Sequence, residues 1–474
     1  MMFSLAMRNL MRNRRRTVAT LLSMIIGLGA ILIFGGYSRN AMYAMQTGYV
    51  QLHGHLQIQH EDYFLYGSGN PAAYGIVDYQ NIMRQIEKDP ILAPMITVVT
   101  PKLQLGGIAG NFAAGVSKNV IAAGVIVEQQ NQMRKWDDYG SASYTPKYAL
   151  SGTNADTVVI GTGVARILQL CTPLKVENCT RNPQAYRPTN TSSGAAPNPN
   201  QIPSDIAELS ALEQNKTPLK PNEANQVRIE MLAANIHGAP NVASLQVSEA
   251  VNWGLKEFDD SFMVMHLGQA QKLIFGGDTP QVSAIQIQLH HTLQIPAARA
   301  RLAQLLKSQF KDAPLAILDY ETLAPIYGQT IKFFDSVFGF IATLIGVIVL
   351  FTVGNTMNTA VVERTTEIGT LRAIGQRRSG IRSLFVCEGM LLGLLGAILG
   401  VLVALIIAYI INHAGLSWTP PGYVYAYPLK VRIWGDWGLI LACTNGLLFV
   451  AILSAWLPAH RAAKLMIVDA LRHV

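Results

Sequence analysis

Charge is scarce in this chain. Asp, Glu, Lys and Arg make up 14% of its 474 residues, whereas globular domains carry about 25%. Half of the residues are apolar. That combination excludes an ordinary water-soluble domain and points to a membrane protein. Cysteine is rare too, at four residues, which excludes a scaffold built on disulfides. The phosphate loop G-x-x-x-x-G-K-[ST] is missing. Its nearest approach, from Gly110 to Lys118, places the lysine two residues late, so the phosphates would be out of its reach. These residues hold no visible ATPase. The zinc-protease pattern H-E-x-x-H is absent as well. His53, His55 and His60 with Glu61 and Asp62 have the wrong spacing and read as a strand with a polar end, so no metal site is expected. No nucleophile elbow G-x-S-x-G occurs. Aromatics interleaved with a basic patch, which single-stranded nucleic acid requires, are missing. The net charge of +8 is carried by arginine clusters that flank apolar runs, which favours lipid and topology over nucleic acid.

What the chain has is four apolar stretches, 17–37, 338–359, 384–411 and 437–457, each near the 20 or so residues needed to cross a bilayer. The first follows a basic segment (Arg12, Arg14, Arg15, Arg16), as a cleaved signal peptide would. It is longer than the roughly 7–15 residues of a signal core, so a retained helix is expected. Lys and Arg crowd three ends. Arg8 and the RNRRR run precede the first stretch. Arg364, Arg372, Arg377, Arg378 and Arg382 lie between the second and third, and Arg461, Lys464 and Arg472 follow the fourth. The link between the third and fourth offers only Lys430 and Arg432. With four crossings the rich ends share one side, so both termini are expected in the cytoplasm and the long segment after the first span outside.

Residues 1–44 therefore read as an amphipathic entry helix and first span, 45–335 as an inserted extracytoplasmic domain, and 336–474 as three further spans with a cytoplasmic tail. Candidate strands in the domain are 55–59, 119–128, 157–163, 226–233 and 282–290. The last alternates, with Ile285, Ile287 and Leu289 on one face and Gln286 and Gln288 on the other, the pattern of a half-buried strand. Helices are expected over 295–310, through Leu302, Leu305, Leu306 and Phe310, and from about Ala270. The fold class is a membrane protein of four transmembrane α-helices with a large mixed α/β domain between the first two. Segment 181–225 is rich in Pro, Asn, Ser and Gly and reads as a flexible insertion. Its Asn190 sequon, like the one at Asn178, reads as a chance match. Cys171 and Cys179 lie in the outer segment, where oxidation is permitted. They are candidates for a disulfide, with two free thiols as the alternative. Cys387 and Cys443 read as small packing residues in spans.

Small residues recur one turn apart in the spans: Gly389 with Gly393, Gly396 with Gly400, Ser23 with Gly27, and Ala342 with Gly346. Such pairs let helices approach closely in lipid. They are expected to form a bundle, with contacts across a dimer. Glu388 is costly against lipid and is expected to snorkel to the interface or to pair with Arg382. Between the second and third spans, Ile368, Leu371 and Ile374 recur at three-residue spacing beside Glu363 and Glu367, and Gly375 is placed to end the helix. An apolar stripe with a charged rim is what a docking helix presents to a protein groove.

NTMNTAVVERTTEIGTLRAIGQRRSGIRSLFVCEGMLLGLLGAILG resembles the signature of the FtsX/LolC/MacB-type ABC transporter permeases, the type VII or mechanotransmission family: E-[KR]-x-x-E-I-G-x-L-[RK]-A-[IL]-G after the second span. LPAHRAAKLMIVDALR is similar to the family's closing motif, with Ile467 where proline is usual. LAMRNLMRNRRRT resembles its entry helix. GHLQIQHEDYF, SFMVMHLGQAQKLI and LDYETLAPIY are similar to the lipoprotein-release LolC/LolE branch. The likeness is strong at both ends and weak in the middle, and the 181–225 segment departs from it.

The resemblance implies a porter-like outer part with an inserted lobe, in a multi-pass protein of a bacterial inner membrane whose large domain lies in the periplasm. It implies a dimer, with a second copy or a paralogue, bound to two copies of a separate ATPase subunit. ATP and Mg would be held by that partner, so this chain needs no cofactor and is not an enzyme. Carried over by position, ATPase coupling falls to Glu363, Arg364, Glu367, Ile368, Gly369, Leu371, Arg372, Ala373 and Gly375. The function implied is conversion of ATPase closure into movement of the outer domain, to extract or release lipoprotein or another amphiphile, with a lipoprotein or its chaperone as further partner. The alternatives are tripartite efflux of small molecules or peptides with a periplasmic adaptor, and signalling to a cell-wall hydrolase as in the FtsX branch.

Overall fold

The structure is a computed structural model and describes residues 6–8, 12, 14–67, 70–141, 147–176, 227–419 and 426–466. Cys179, the 181–225 segment, both sequons and the tail from Ile467 lie outside the described residues. Leaving the shortest helices unnumbered, the described chain runs α1 (Arg14–His53), β1 (Leu56–His60), α2 (Tyr79–Lys88), β2 (Ile96–Asn111), β3 (Val116–Val125), α3 (Val127–Met133), β4 (Thr157–Gly161), β5 (Arg228–Ala234) and β6 (Pro240–Val251). It continues through β7 (Phe262–His266), α4 (Leu267–Phe275), β8 (Ala284–Leu289), α5 (Ile295–Gln309) and β9 (Leu315–Asp319). It ends with α6 (Pro325–Glu363), α7 (Thr365–Ala373), α8 (Arg378–His413), a two-residue pairing of β10 (Ser417–Trp418) with β11 (Tyr427–Pro428), and α9 (Trp437–Lys464).

Helices α1, α6, α8 and α9 are each long and apolar enough to cross a membrane. In hydrocarbon a backbone must satisfy its own hydrogen bonds, which is why these runs are helical throughout. In the bundle α8 lies between α1 and α9, and α6 packs against the same two helices from the other side. Met24, Leu28 and Leu32 of α1 meet Val349, Val353 and Met357 of α6, Leu392, Ala397 and Ala404 of α8, and Leu447, Ala451 and Ala455 of α9. Exposed Trp437 and Trp456 lie 19 positions apart in α9. That is about 28 Å at a 1.5 Å rise, which matches the roughly 30 Å hydrocarbon layer with its aromatic belts. Helices α1 and α6 have 40 and 39 residues, about twice the length needed to span. They run unbroken past residues 44 and 335 as two rods that carry the α/β domain.

Two sheets in that domain share the long strand β2. On one side β2-β8-β1-β9 form a four-stranded antiparallel sheet. On the other, the order β2-β3-β7-β4-β6-β5 returns to β2, so six strands close into a ring. Its parallel pairings are β3 with β7 and β4 with β6. Ile285, Ile287 and Leu289 of β8 pack in one core with Ile82 and Ile86 of α2 and Leu302 and Leu305 of α5. The strand is not half-buried, however. Gln286 and Gln288 are as deeply buried as the isoleucines, because the end of α1 and α3 cover the second face. The strand expected over 119–128 stops at Val125, and the next residues turn into α3.

Candidate functional site

The basic pole of the bundle lies opposite the α/β domain. Helix α6 ends at Glu363, the chain breaks at Arg364 (φ −109°, ψ 19°), and α7 follows as a separate nine-residue helix. At Gly375 a φ of +99° reverses the chain into α8, a conformation that favours glycine.

The first helix and Arg12 just before it fasten the α6–α7 corner from one side. Arg16 Nη1 donates to Glu363 Oε2 at 2.9 Å and Arg12 Nη2 to Glu367 Oε1 at 2.6 Å. The Thr20 and Thr356 hydroxyls meet at 2.8 Å a turn deeper. Both ion pairs are exposed, so each contributes at most about 1 kcal/mol. From the other side Ile368 enters an apolar cluster with Val361, Ile381, Phe385, Ala459, Ala462 and Ala463. The Arg372 guanidinium donates to the Leu465 carbonyl.

This geometry divides the residues expected at the site into exposed and buried ones. The Arg364 side chain turns inward and Nη1 donates to Glu388 Oε1 at 2.9 Å, with the two side chains 6% and 3% exposed. Glu388 thus pairs with Arg364 and not with exposed Arg382, and it does not snorkel. Ile368 and Gly369 are buried against the chain's own helices, and Arg372 is half-buried. Three-residue spacing lags a 3.6-residue turn by about 60° per step, so Ile368 rotates inward while Leu371 and Ile374 stay outside. Leu371 is 38% and Ile374 80% exposed, with Ala373 and Gly375 exposed beside them. Glu367, Thr370, Leu371 and Ile374 occupy one face at i, i+3, i+4 and i+7. Exposed Arg377, Arg378, Arg382, Arg461 and Lys464 form a basic rim around it.

The glycine pairs also work differently from the expectation of a dimer contact. Gly389 and Gly393 lie against Ala455 and Ala451 of α9, and Gly396 and Gly400 against Met24 and Leu28 of α1. A Cβ at Gly396 would sit 2.9 Å from Met24 Cβ and one at Gly400 3.0 Å from Leu28 Cδ2. Gly27 meets Ile345 of α6 in the same way. Five of these glycines are thus spent inside one protomer. Gly346 is looser: its nearest approach is Val450, at 3.9 Å from a built Cβ.

At the opposite pole lies a junction that sequence reasoning missed. Gln286 Nε2 donates to Leu52 O at 3.0 Å, and Gln288 Nε2 to Met133 O at 2.9 Å and Val50 O at 3.3 Å. Gln57 Nε2 reaches His53 O at 2.8 Å, and Gln51 Nε2 reaches Trp136 O at 2.7 Å. Two of these amides satisfy the Leu52 and His53 carbonyls, which the end of α1 would leave orphaned. His55 Nδ1 accepts from Leu289 N at 3.0 Å and its ring stands edge-on to Trp136. Burial pushes its pKa down to about 4, so it is a neutral core histidine. A signal was available: the supposed solvent face of β8 carries amides only, with no Lys or Glu. Arg432 completes the junction from the link before α9. Its N–H donates to Gly36 O at 3.1 Å, its guanidinium donates to Tyr139 O, and it lies 5.3 Å from the Tyr43 ring, which stacks on Tyr139. Cys171 is disulfide-bonded, while Cys387 and Cys443 are free.

Among known proteins, the model of the FtsX-like permease C-terminal domain matches residues 337–467. Similar curated proteins include the uncharacterized ABC transporter permease MJ1507 of Methanocaldococcus jannaschii, 26% identical over 45% of this chain and 51% of its own length. The ABC transporter permease YtrF of Bacillus subtilis is 35% identical over 28% of this chain and 30% of its length. The macrolide export ATP-binding/permease protein MacB of Neisseria gonorrhoeae is 27% identical over 40% of this chain and 27% of its length. The chain thus matches about half or less of the length of these relatives. Among solved structures, the periplasmic region of MacB from Actinobacillus actinomycetemcomitans overlaps 58% of this chain and 92% of that one at 12% identity. Its TM-score is 0.29, a value at which a shared fold is not established. The C-terminal match covers α6 to α9, the helices that build the basic pole. Residues 337–467 thus match an FtsX-like permease C-terminal domain, and similar curated proteins are named as ABC transporter permeases.

Proposed function

We propose that this chain is the permease subunit of an ABC transporter, coupling ATP hydrolysis by a partner ATPase to movement of its α/β domain on the far side of a bacterial inner membrane. The observation that carries the reading is the exposed Leu371–Ile374 face of α7. The chain's own helices hold α7 from behind through Ile368 and Arg372 and leave that apolar face uncovered. It lies where a protein groove can receive it, within a basic rim that belongs on the cytoplasmic side.

The bundle interior supports a lever over a channel. Its core is aliphatic, and the buried charges among the described residues of the spans are the Arg364–Glu388 pair at one pole. Such an interior cannot line an aqueous path. The cargo in this reading is an amphiphile handled outside the membrane core. Relatives named as macrolide exporters favour a small molecule passed to an adaptor over a lipoprotein. Two copies of the chain, or one with a paralogue, would engage two ATPase subunits, and ATP and Mg belong to those subunits.

The test is Leu371→Asp combined with Ile374→Asp in the full chain. Both side chains are exposed, so thermal stability should stay at the wild-type value while co-purification with the ATPase is lost. Undiminished capture and undiminished stimulation of ATP hydrolysis would rule the docking face out.

A further inference from the structure

We propose that the link between the third and fourth spans is a membrane-interface element. Leu416, Trp418 and Trp434 lie among the lipid headgroups and upper acyl carbons of the leaflet on the side of the α/β domain. The proposal needs α8 and α9 to span a bilayer, but neither the ATPase nor the orientation in the reading above.

The link is fastened to the ends of the helices around it. Asn412, in the last turn of α8, holds Val431 in both directions: Nδ2 donates to Val431 O at 2.9 Å and Oδ1 accepts from Val431 N at 2.8 Å. Arg432 N reaches Gly36 O of α1 at 3.1 Å. Val431 and Ile433 pack into the core of the bundle, and Asp436 Oδ1 caps α9 by accepting from Leu439 N at 3.0 Å. Leu429 N donates to Leu416 O at 2.8 Å beside the pairing of β10 with β11. The segment is thus held where two apolar helices end, at the edge of the hydrocarbon layer.

The side chains it exposes there suit lipid better than water. Leu416 and Trp418, two positions apart, share one face of the strand, and both are exposed. Exposed Trp434 stands with its ring centroid 6.2 Å from that of Trp437, the first residue of α9. Trp437 and Leu441, one turn on, are exposed on the outside of the bundle. Trp434 therefore continues the lipid-facing surface of α9 past the start of the helix. That continuity favours the membrane over a protein groove as the occupant. The charges of the link 414–436 are Lys430, Arg432 and Asp436. The Arg432 guanidinium donates to Tyr139 and Asp436 caps α9, which leaves Lys430 as the fully exposed charge. Indole rings with an apolar body and one N–H donor, accompanied by a cation, are what the headgroup level selects.

The contact has a consequence for the α/β domain. Arg432 ties the same link to Tyr139 at the foot of that domain, so a link seated in the leaflet fixes the height of the foot above the membrane.

The test uses the full chain in nanodiscs of phosphatidylcholine that is unmodified, brominated near the headgroup, or brominated near the chain ends. Tryptophan emission is compared between wild type and the double variant Trp418→Phe with Trp434→Phe, with and without iodide in the water. The difference between the two chains isolates the emission of those two rings. Both rings are exposed, so the variant should melt as wild type does; each single variant takes its place if it does not. The difference emission should lose most of its intensity to the shallow bromines, less to the deep ones and little to iodide. Strong quenching by iodide with none by bromine would put the link in water and overturn the proposal. Resistance to every quencher would put it beneath a protein surface and overturn it equally, as would strongest quenching by the deep bromines.

Discussion

Gly389 and Gly393 open one level of α8 to α9, and Gly396 and Gly400, on the same face two turns along, open the next to α1. Two small-residue pairs, one turn and three residues apart, thus serve two different neighbours of the same protomer. In lipid the gain comes from van der Waals contact between closely approaching backbones, so a side chain inserted there forces the helices apart. Gly396→Leu should lower the stability of the solubilised chain by roughly 1–3 kcal/mol, read as a drop in Tm that is the same at every protein concentration. A drop that fades as concentration rises would instead place these glycines between chains. At this scale the sequence showed that the glycines pack but not against what, because a small-x-x-x-small pattern looks the same within a chain and between chains.

Among elements, α7 and β8 misled in related ways. A three-residue apolar spacing suggested one face for α7, yet the helix turn sends Ile368 inward and leaves Leu371 and Ile374 out. Strict alternation suggested a solvated face for β8, yet α1 and α3 cover it, and Gln286 and Gln288 bind helix-end carbonyls there. Periodicity reports which residues share a face. Whether that face meets water depends on what else packs on it. The link before α9 illustrates the same limit. Arg432 read only as one of two cations on the less basic side, whereas it fastens α1 and the α/β domain to the last two spans. Arg432→Ala removes a charged hydrogen bond, a loss of about 1.5–3 kcal/mol. Protection from hydrogen exchange at residues 136–141 should then fall roughly tenfold or more, while the melting of the bundle stays unchanged. Unaltered exchange would show that Arg432 does not hold the junction.

Over the whole molecule, α1 and α6 run from the α7 end of the bundle to the α/β domain, and the proposed function makes them a lever arm. In the proposed function the basic α7 end faces the cytoplasm, as its excess of Lys and Arg predicts. In sealed inside-out vesicles a membrane-impermeant maleimide should label Ile374→Cys and leave Leu293→Cys, whose parent leucine is the most exposed large apolar residue among the described residues of the α/β domain, unmodified. Labelling of both, or of Leu293→Cys alone, would reverse or break the arrangement.

The sequence by itself determined that there are four spans, that a large mixed α/β domain is inserted after the first, and where the short helix between the second and third lies. Those features follow from local composition and period, which each segment carries alone: an apolar run must be a helix in lipid, and a chain reversal takes a glycine. Only the tertiary structure decided that Arg364 belongs to Glu388, that the glycines serve α1 and α9, that β2 joins a four-stranded sheet to a six-stranded ring, and that a row of glutamines secures α1 to the domain. Each of these depends on which distant surface arrives opposite a residue. Packing of the whole chain sets that, and no single stretch of sequence records it.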